Sequence, residues 1–153
     1  MPRTVWVLHG PNLDLLGTRE PELYGRETLD QIDTRLKALG EELDLSVECF
    51  QSNHEGALID RLAIARDAAA GCLINPGGYS HTSLAMADTI RAIDIPVIEV
   101  HLTNLYARED ERAFSVTGAA ASGVIMGLGA RGYELGLREL ASRLKPARRR
   151  RAR

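Results

Sequence analysis

"GCLINPGGYSHTSLAMADTIRAIDIPVIEVHL", residues 71–102, decides the fold. Its ends, "GCLIN" and "PVIEVHL", are apolar almost without interruption, whereas a strand with one wet face alternates polar with apolar residues. Between them "HTSLAMADTIRAI" reads as a helix. Two strands buried on both faces and joined by a helix form a parallel crossover unit.

The same alternation extends to both sides. "TVWVLHG" (4–10) reads as a strand and "TLDQIDTRLKALGEEL" (28–43) as a helix, with Leu29, Ile32, Leu36, Leu39 and Leu43 on one apolar face. Thr28 and Gln31 have the spacing of a capping box. "LSVECFQS" reads as a strand, "EGALIDRLAIARDAAA" as a helix, "SGVIMGLG" as the last strand and "ARGYELGLRELASRLK" as the closing helix. Right-handed crossovers then give an α/β fold: a flavodoxin-like, doubly wound, five-stranded parallel sheet in a single domain over residues 1–144.

Residues 145–153, "KPARRRRAR", carry six cations and no acid, so a net charge of -2 for the whole chain leaves -8 on the body. Such a body repels nucleic acid, and the tail is expected to be a solvated, disordered end without function. A tail acting as a nucleic-acid tether is the weaker reading of the same residues. The apolar runs are too short to span a bilayer, and the amino terminus lacks a basic segment followed by an apolar stretch. Cys49 and Cys72 fall in buried strands without metal-ligand spacing, which suits a cytoplasmic protein with core thiols.

Ligands of open parallel sheets bind beyond the carboxyl ends of the strands. Here those ends carry "HGPNLDLLGTREPELYG", "NPGGYSHTS" and "EVHLTNLYARE", which should bring together Asn12, Arg19, Tyr24, Asn75, His81, Glu99, His101 and Arg108. "SNHEG", after the second strand, adds only a helix cap on this reading. No glycine-rich nucleotide motif and no Gly-x-Ser-x-Gly elbow is present. His81 and His101 lack metal spacing, and Lys37 and Lys145 sit in a surface-facing helix and in the tail. The expected chemistry is proton transfer without metal or cofactor.

A phenol ordinarily titrates near 10, so holding half of it ionised at pH 7 takes roughly 4 kcal/mol of preferential stabilisation. Arg19 and Arg108 are cations able to supply it beside Tyr24. Tyr24 is then an activated base on a lid, or else a packing anchor beside a solvated Arg19; spacing alone does not separate the two. Glu99 and His101 lie two apart on a strand and point the same way, so the carboxylate can raise the imidazole's pKa and make it a general acid. A His simply satisfied at a strand end is the alternative. Thr82 and Ser83, at a helix start, either bind an anion with Arg112 or cap the helix.

In order and spacing, "HGPNLDLLGTREPELYG", "FQSNHEG", "INPGGYSHTS", "IEVHLTN", "ARE" and "GLGARGYELGL" resemble the type II 3-dehydroquinate dehydratases. The resemblance implies dehydration of 3-dehydroquinate to 3-dehydroshikimate, an anti elimination through an enolate in the shikimate pathway of aromatic amino acid biosynthesis, with no metal or cofactor. It makes Tyr24 the base, Arg19 the lid arginine, Arg108 the second cation and Asn12 the amide that supports the enolate through water. It makes His101 the acid and Glu99 its carboxylate. Asn75, His81, Arg112, Leu102 and Thr103 become substrate-binding positions, and Asp88 a residue reaching a neighbouring subunit in a dodecamer of trimers. Two local features temper this expectation: Gly77-Gly78 should loosen the loop below Tyr79, and Asp110 and Glu111 should screen Arg108 and Arg112. A rival class is a catalytically silent, flavodoxin-like anion-binding module.

Overall fold

The computed structural model describes residues 3–144; the basic stretch 145–153 lies outside the described residues. Five strands, β1 (Arg3–His9), β2 (Leu45–Gln51), β3 (Gly71–Asn75), β4 (Val97–His101) and β5 (Gly123–Met126), form one sheet in the order β2-β1-β3-β4-β5. Every pairing is parallel. The helices are α1 (Pro21–Tyr24), α2 (Leu29–Glu42), α3 (Glu55–Ala68), α4 (Leu84–Ala92) and α5 (Arg131–Leu144). No helix of the described residues is long and apolar enough to cross a membrane. The expected single-domain, five-stranded, doubly wound sheet is the one observed.

Alternation along the strands builds two cores. Val5, Val7, Leu73, Ile98 and Val100 face one way, onto Ile32, Leu36 and Leu39 of α2 and Leu137 and Leu140 of α5. Trp6, Leu8, Cys72 and Ile74 face the other way, onto Leu58 and Leu62 of α3 and Met86 and Ile90 of α4. Burying one such aliphatic side chain contributes about 1.5–3 kcal/mol, so both faces of β1 and β3 are committed to the core. Polar chemistry is thereby confined to the strand ends.

Local signals set the boundaries. The capping box at α2 forms in full, with Gln31 N–H donating to the Thr28 hydroxyl and Thr28 N–H to the Gln31 side chain. Helix α4 begins three residues later than the apolar pattern suggests. Gly77–His81 winds instead as a 3-10 turn, after which Ser83 stays extended and its hydroxyl accepts from Met86 N–H at 3.0 Å. That settles Ser83 as a cap.

Two close approaches lock the strand-end loops. A Cβ on Gly10 would lie 2.4 Å from the Pro76 carbonyl oxygen, and Gly10 N–H donates to Asn75 O at 2.7 Å. Gly77 has φ +58 against Pro11, so it meets a backbone requirement. Against the expected loosening by Gly77-Gly78, the Tyr79 hydroxyl donates to Asn53 O at 2.6 Å and ties the loop to the segment after β2.

Candidate active site

One cavity opens at the carboxyl ends of β1, β3 and β4. Asn12, Arg19, Tyr24, Asn75, His81, His101, Leu102, Thr103, Arg108 and Arg112 all line it. Glu99 lies directly behind His101. Of the expected site residues, Asp88 is the one placed elsewhere: it stands exposed on α4 and is 3.7 Å from Arg91. Within this chain it does not reach the cavity.

The segment after β1 is folded, not slack. Asn12 adopts the left-handed region at φ 66 and opens a 3-10 turn over Leu13–Leu15, while Leu13 and Leu16 insert into the core. Glu20, also left-handed at φ 39, starts α1 with Pro21 in its first turn. This short helix places Tyr24 at its end, where the ring packs against the core around α2. The Arg19 guanidinium lies 4.9 Å from the ring centroid and that of Arg108 5.7 Å. Arg108 Nη1 donates to the Tyr24 hydroxyl at 3.4 Å and to the Thr103 hydroxyl at 3.2 Å. Tyr24 is thus both an anchor, through its ring, and a polar group held between two cations, through its oxygen. Burial works against the Arg108 cation, but Tyr24 and Glu109 outweigh it and hold its pKa above the usual value.

Opposite the phenol, His101 is buried and its Nε2 lies 2.9 Å from Glu99 Oε2. Glu99 is wholly buried, and a buried carboxylate needs several donors. Ser115 donates to its Oε2 at 2.6 Å, and the Thr117 hydroxyl donates to its Oε1. With Nε2 committed to Glu99, Nδ1 is the His101 nitrogen left for the cavity. His81 is held in a comparable way, with its Nδ1 2.7 Å from Phe114 O and its Nε2 3.4 Å from the Ser80 hydroxyl.

The acidic stretch behaves differently from expectation. The residue that pairs with Arg108 and Arg112 is Glu109, 3.4 Å from the first and 2.6 Å from the second, in place of Asp110 and Glu111. Arg112 sits three residues on in a tight turn, which brings it back over Glu109. The loop after β2 also does more than cap a helix. His54 begins α3 without a side-chain cap, whereas Asn53 Oδ1 accepts from Asn12 N–H at 3.0 Å and from Gln51 at 3.2 Å. Asn53 thereby braces the Asn12 turn and, through Tyr79, the loop after β3.

Among the described residues, His9, Asp33 and Cys49 carry metal-ligand atoms within 4.8 Å of one another. His9 Nε2 and Asp33 Oδ1 already hold each other at 2.7 Å, and burial pushes the Cys49 thiol up to about 12, far from a thiolate ligand. The trio is paired within itself.

Residues 3–141 match the family profile described as dehydroquinase class II. A 3-dehydroquinate dehydratase of Bordetella avium is 53% identical over 139 residues, covering 90% of this chain and 96% of the relative. One of Desulforudis audaxviator is 52% identical over 147 residues, covering 94% and 98%. The crystal structure of the type II dehydroquinase from Propionibacterium acnes superposes with a TM-score of 0.89 at 43% identity, covering 93% of this chain and 98% of that one. A phenol between guanidiniums, an imidazole on a buried carboxylate and a match along almost the whole of both chains lead to one assignment: the chain belongs to the class II dehydroquinase family.

Proposed function

We propose that this protein dehydrates 3-dehydroquinate to 3-dehydroshikimate as a step of aromatic biosynthesis, and that it does so with side chains alone. The observation that carries the proposal is the phenol oxygen of Tyr24 beside Arg108, with the Arg19 cation over its ring, in the same cavity as His101. Loss of a β-hydroxyl from a β-hydroxy ketone needs a base at the α carbon, support for an enolate and an acid for the leaving oxygen. In this reading the tyrosinate of Tyr24 removes the proton while Arg19 and Arg108 stabilise its charge. Asn12, fixed by Asn53, supports the enolate through a water. His101, backed by Glu99, gives its proton to the departing hydroxyl, and water leaves. Asn75, His81, Arg112, Leu102 and Thr103 bind the substrate's hydroxyls and carboxylate.

The test is growth of enone absorbance when the purified protein meets 3-dehydroquinate. Wild type should turn over, and Arg19→Ala should lower kcat by about 10²-fold, with part of the loss recovered on adding free guanidinium. A folded wild type without turnover would support a silent binding module instead.

The proposal extends to a cytoplasmic homo-oligomer, a dodecamer of four trimers in which Asp88 reaches a neighbouring site. Leu84 and Phe114, 69% and 68% exposed, are apolar side chains that such contacts would cover. Light scattering should return the mass of twelve chains. A monomer's mass, with activity intact, would remove both the assembly and the role of Asp88.

A further inference from the structure

Behind Asn75, away from the cavity, runs a line of polar side chains, His9, Tyr133 and Asp33, that the reaction scheme above does not use. Parallel pairing sets His9, the last residue of β1, beside Asn75, the last residue of β3. Their side chains meet through a third residue from the opposite end of the chain. Tyr133, wholly buried on α5, has its hydroxyl 3.1 Å from Asn75 Nδ2 and 3.2 Å from His9 Nδ1. His9 is equally buried and lies 2.7 Å from Asp33 Oδ1 on α2.

The hydrogen atoms in this line can be counted. Gly77 N–H donates to Asn75 Oδ1 at 3.1 Å, which makes the other amide atom the donor toward Tyr133. A phenol hydroxyl has one hydrogen. In the His9 tautomer that carries its hydrogen on Nε2 and donates it to the Asp33 carboxylate, Nδ1 is an acceptor, and Tyr133, having accepted from Asn75, gives its hydrogen there. Burial pushes the Tyr133 phenol above its ordinary range, so it keeps the hydrogen it donates. Each residue fixes the polarity of the next.

We infer that Asp33, His9 and Tyr133 are positioning residues that lock the amide of Asn75 in one of its two orientations and so set which hydrogen-bonding pattern it shows to a substrate hydroxyl. The locked amide has one N–H and one oxygen lone pair left for the cavity. Reversing it would leave Gly77 N–H facing an NH₂ group and interchange donor and acceptor toward the ligand. The inference rests on Asn75 being a substrate-binding residue, and the experiment separates the two.

Steady-state kinetics with 3-dehydroquinate should show Asn75→Ala raising KM by about tenfold or more. Tyr133→Phe should raise KM by about tenfold and leave kcat within about twofold. Adding Tyr133→Phe to Asn75→Ala should cost nothing further, because the hydroxyl acts only through the amide. His9→Leu should resemble Tyr133→Phe. His9→Asn, whose oxygen can replace Nδ1 as the acceptor, should restore KM. Asp33→Ala changes a part-buried side chain on α2 and leaves the wholly buried His9 and Tyr133 in place; it should raise KM about threefold, which keeps the test open if the core variants do not fold. An unchanged KM in Asn75→Ala would remove the role of Asn75 itself. A raised KM there, with wild-type KM in folded Tyr133→Phe or Asp33→Ala, would overturn the positioning line alone. Loss confined to folded fraction or to kcat would make these residues structural and would overturn it equally.

Discussion

Tyr24→Phe is expected to lower kcat by about 10³-fold and to leave the protein folded. The ring keeps its place against the core around α2, and only the oxygen that meets Arg108 at 3.4 Å is lost. General-base catalysis contributes typically 10²–10⁴-fold, and among the described residues Tyr24 is the cavity ring that has two guanidiniums near its centroid, at 4.9 and 5.7 Å. KM should change little, since the proposed function assigns the substrate's hydroxyls and carboxylate to other side chains. Washout of the α hydrogen into D₂O should fall with elimination, because both begin with the same proton. Continued washout with elimination stopped would place the base on another residue.

His101→Ala is expected to lower kcat by a similar factor, about 10²–10³-fold, with the opposite isotopic result. Without the imidazole the enolate still forms but cannot expel its oxygen easily. Substrate hydrogen should then exchange with D₂O faster than product appears. The variant also strips Glu99 of one of its three donors, leaving Ser115 and Thr117 to hold a wholly buried carboxylate. A fall of about 1–3 kcal/mol in unfolding free energy should accompany the kinetic change, measurable by denaturant titration. Equal loss of exchange and elimination would mean that His101 acts before the enolate, and its role as leaving-group acid would fail.

The sheet was legible because its signals are local. Continuous apolar runs at 71–75 and 97–101, and the Thr28-Gln31 box, are decided by neighbours within a few residues. The cavity residues were legible through topology, since strand ends are where polar groups can be exposed without breaking the core. What escaped depends on long-range pairing. Ser115 and Thr117 reach Glu99 from 16 and 18 residues away, and Tyr133 meets His9 across 124. Asn53 escaped because its side chain serves a loop 41 residues earlier and not the helix it precedes. Glu109 was within reach: the spacing to Arg112 is that of an i,i+3 pair, which the short turn at Asp110–Arg112 realises. Which way Asn75 presents its amide has one local determinant, the Gly77 N–H two residues on, while Tyr133, His9 and Asp33, which continue the line behind it, come from three other elements.

The sheet buries Cys72 and covers Cys49 in part. Burial pushes the thiols of Cys49 and Cys72 up to about 12, so at neutral pH almost no thiolate is available to a maleimide or an oxidant. A new cysteine at Leu23, exposed on the short helix that carries Tyr24, would therefore be the one thiol to take a dye, with both native cysteines left in place. The fold thus provides a quiet background for fluorescence measurements that test whether the Tyr24 segment moves during turnover.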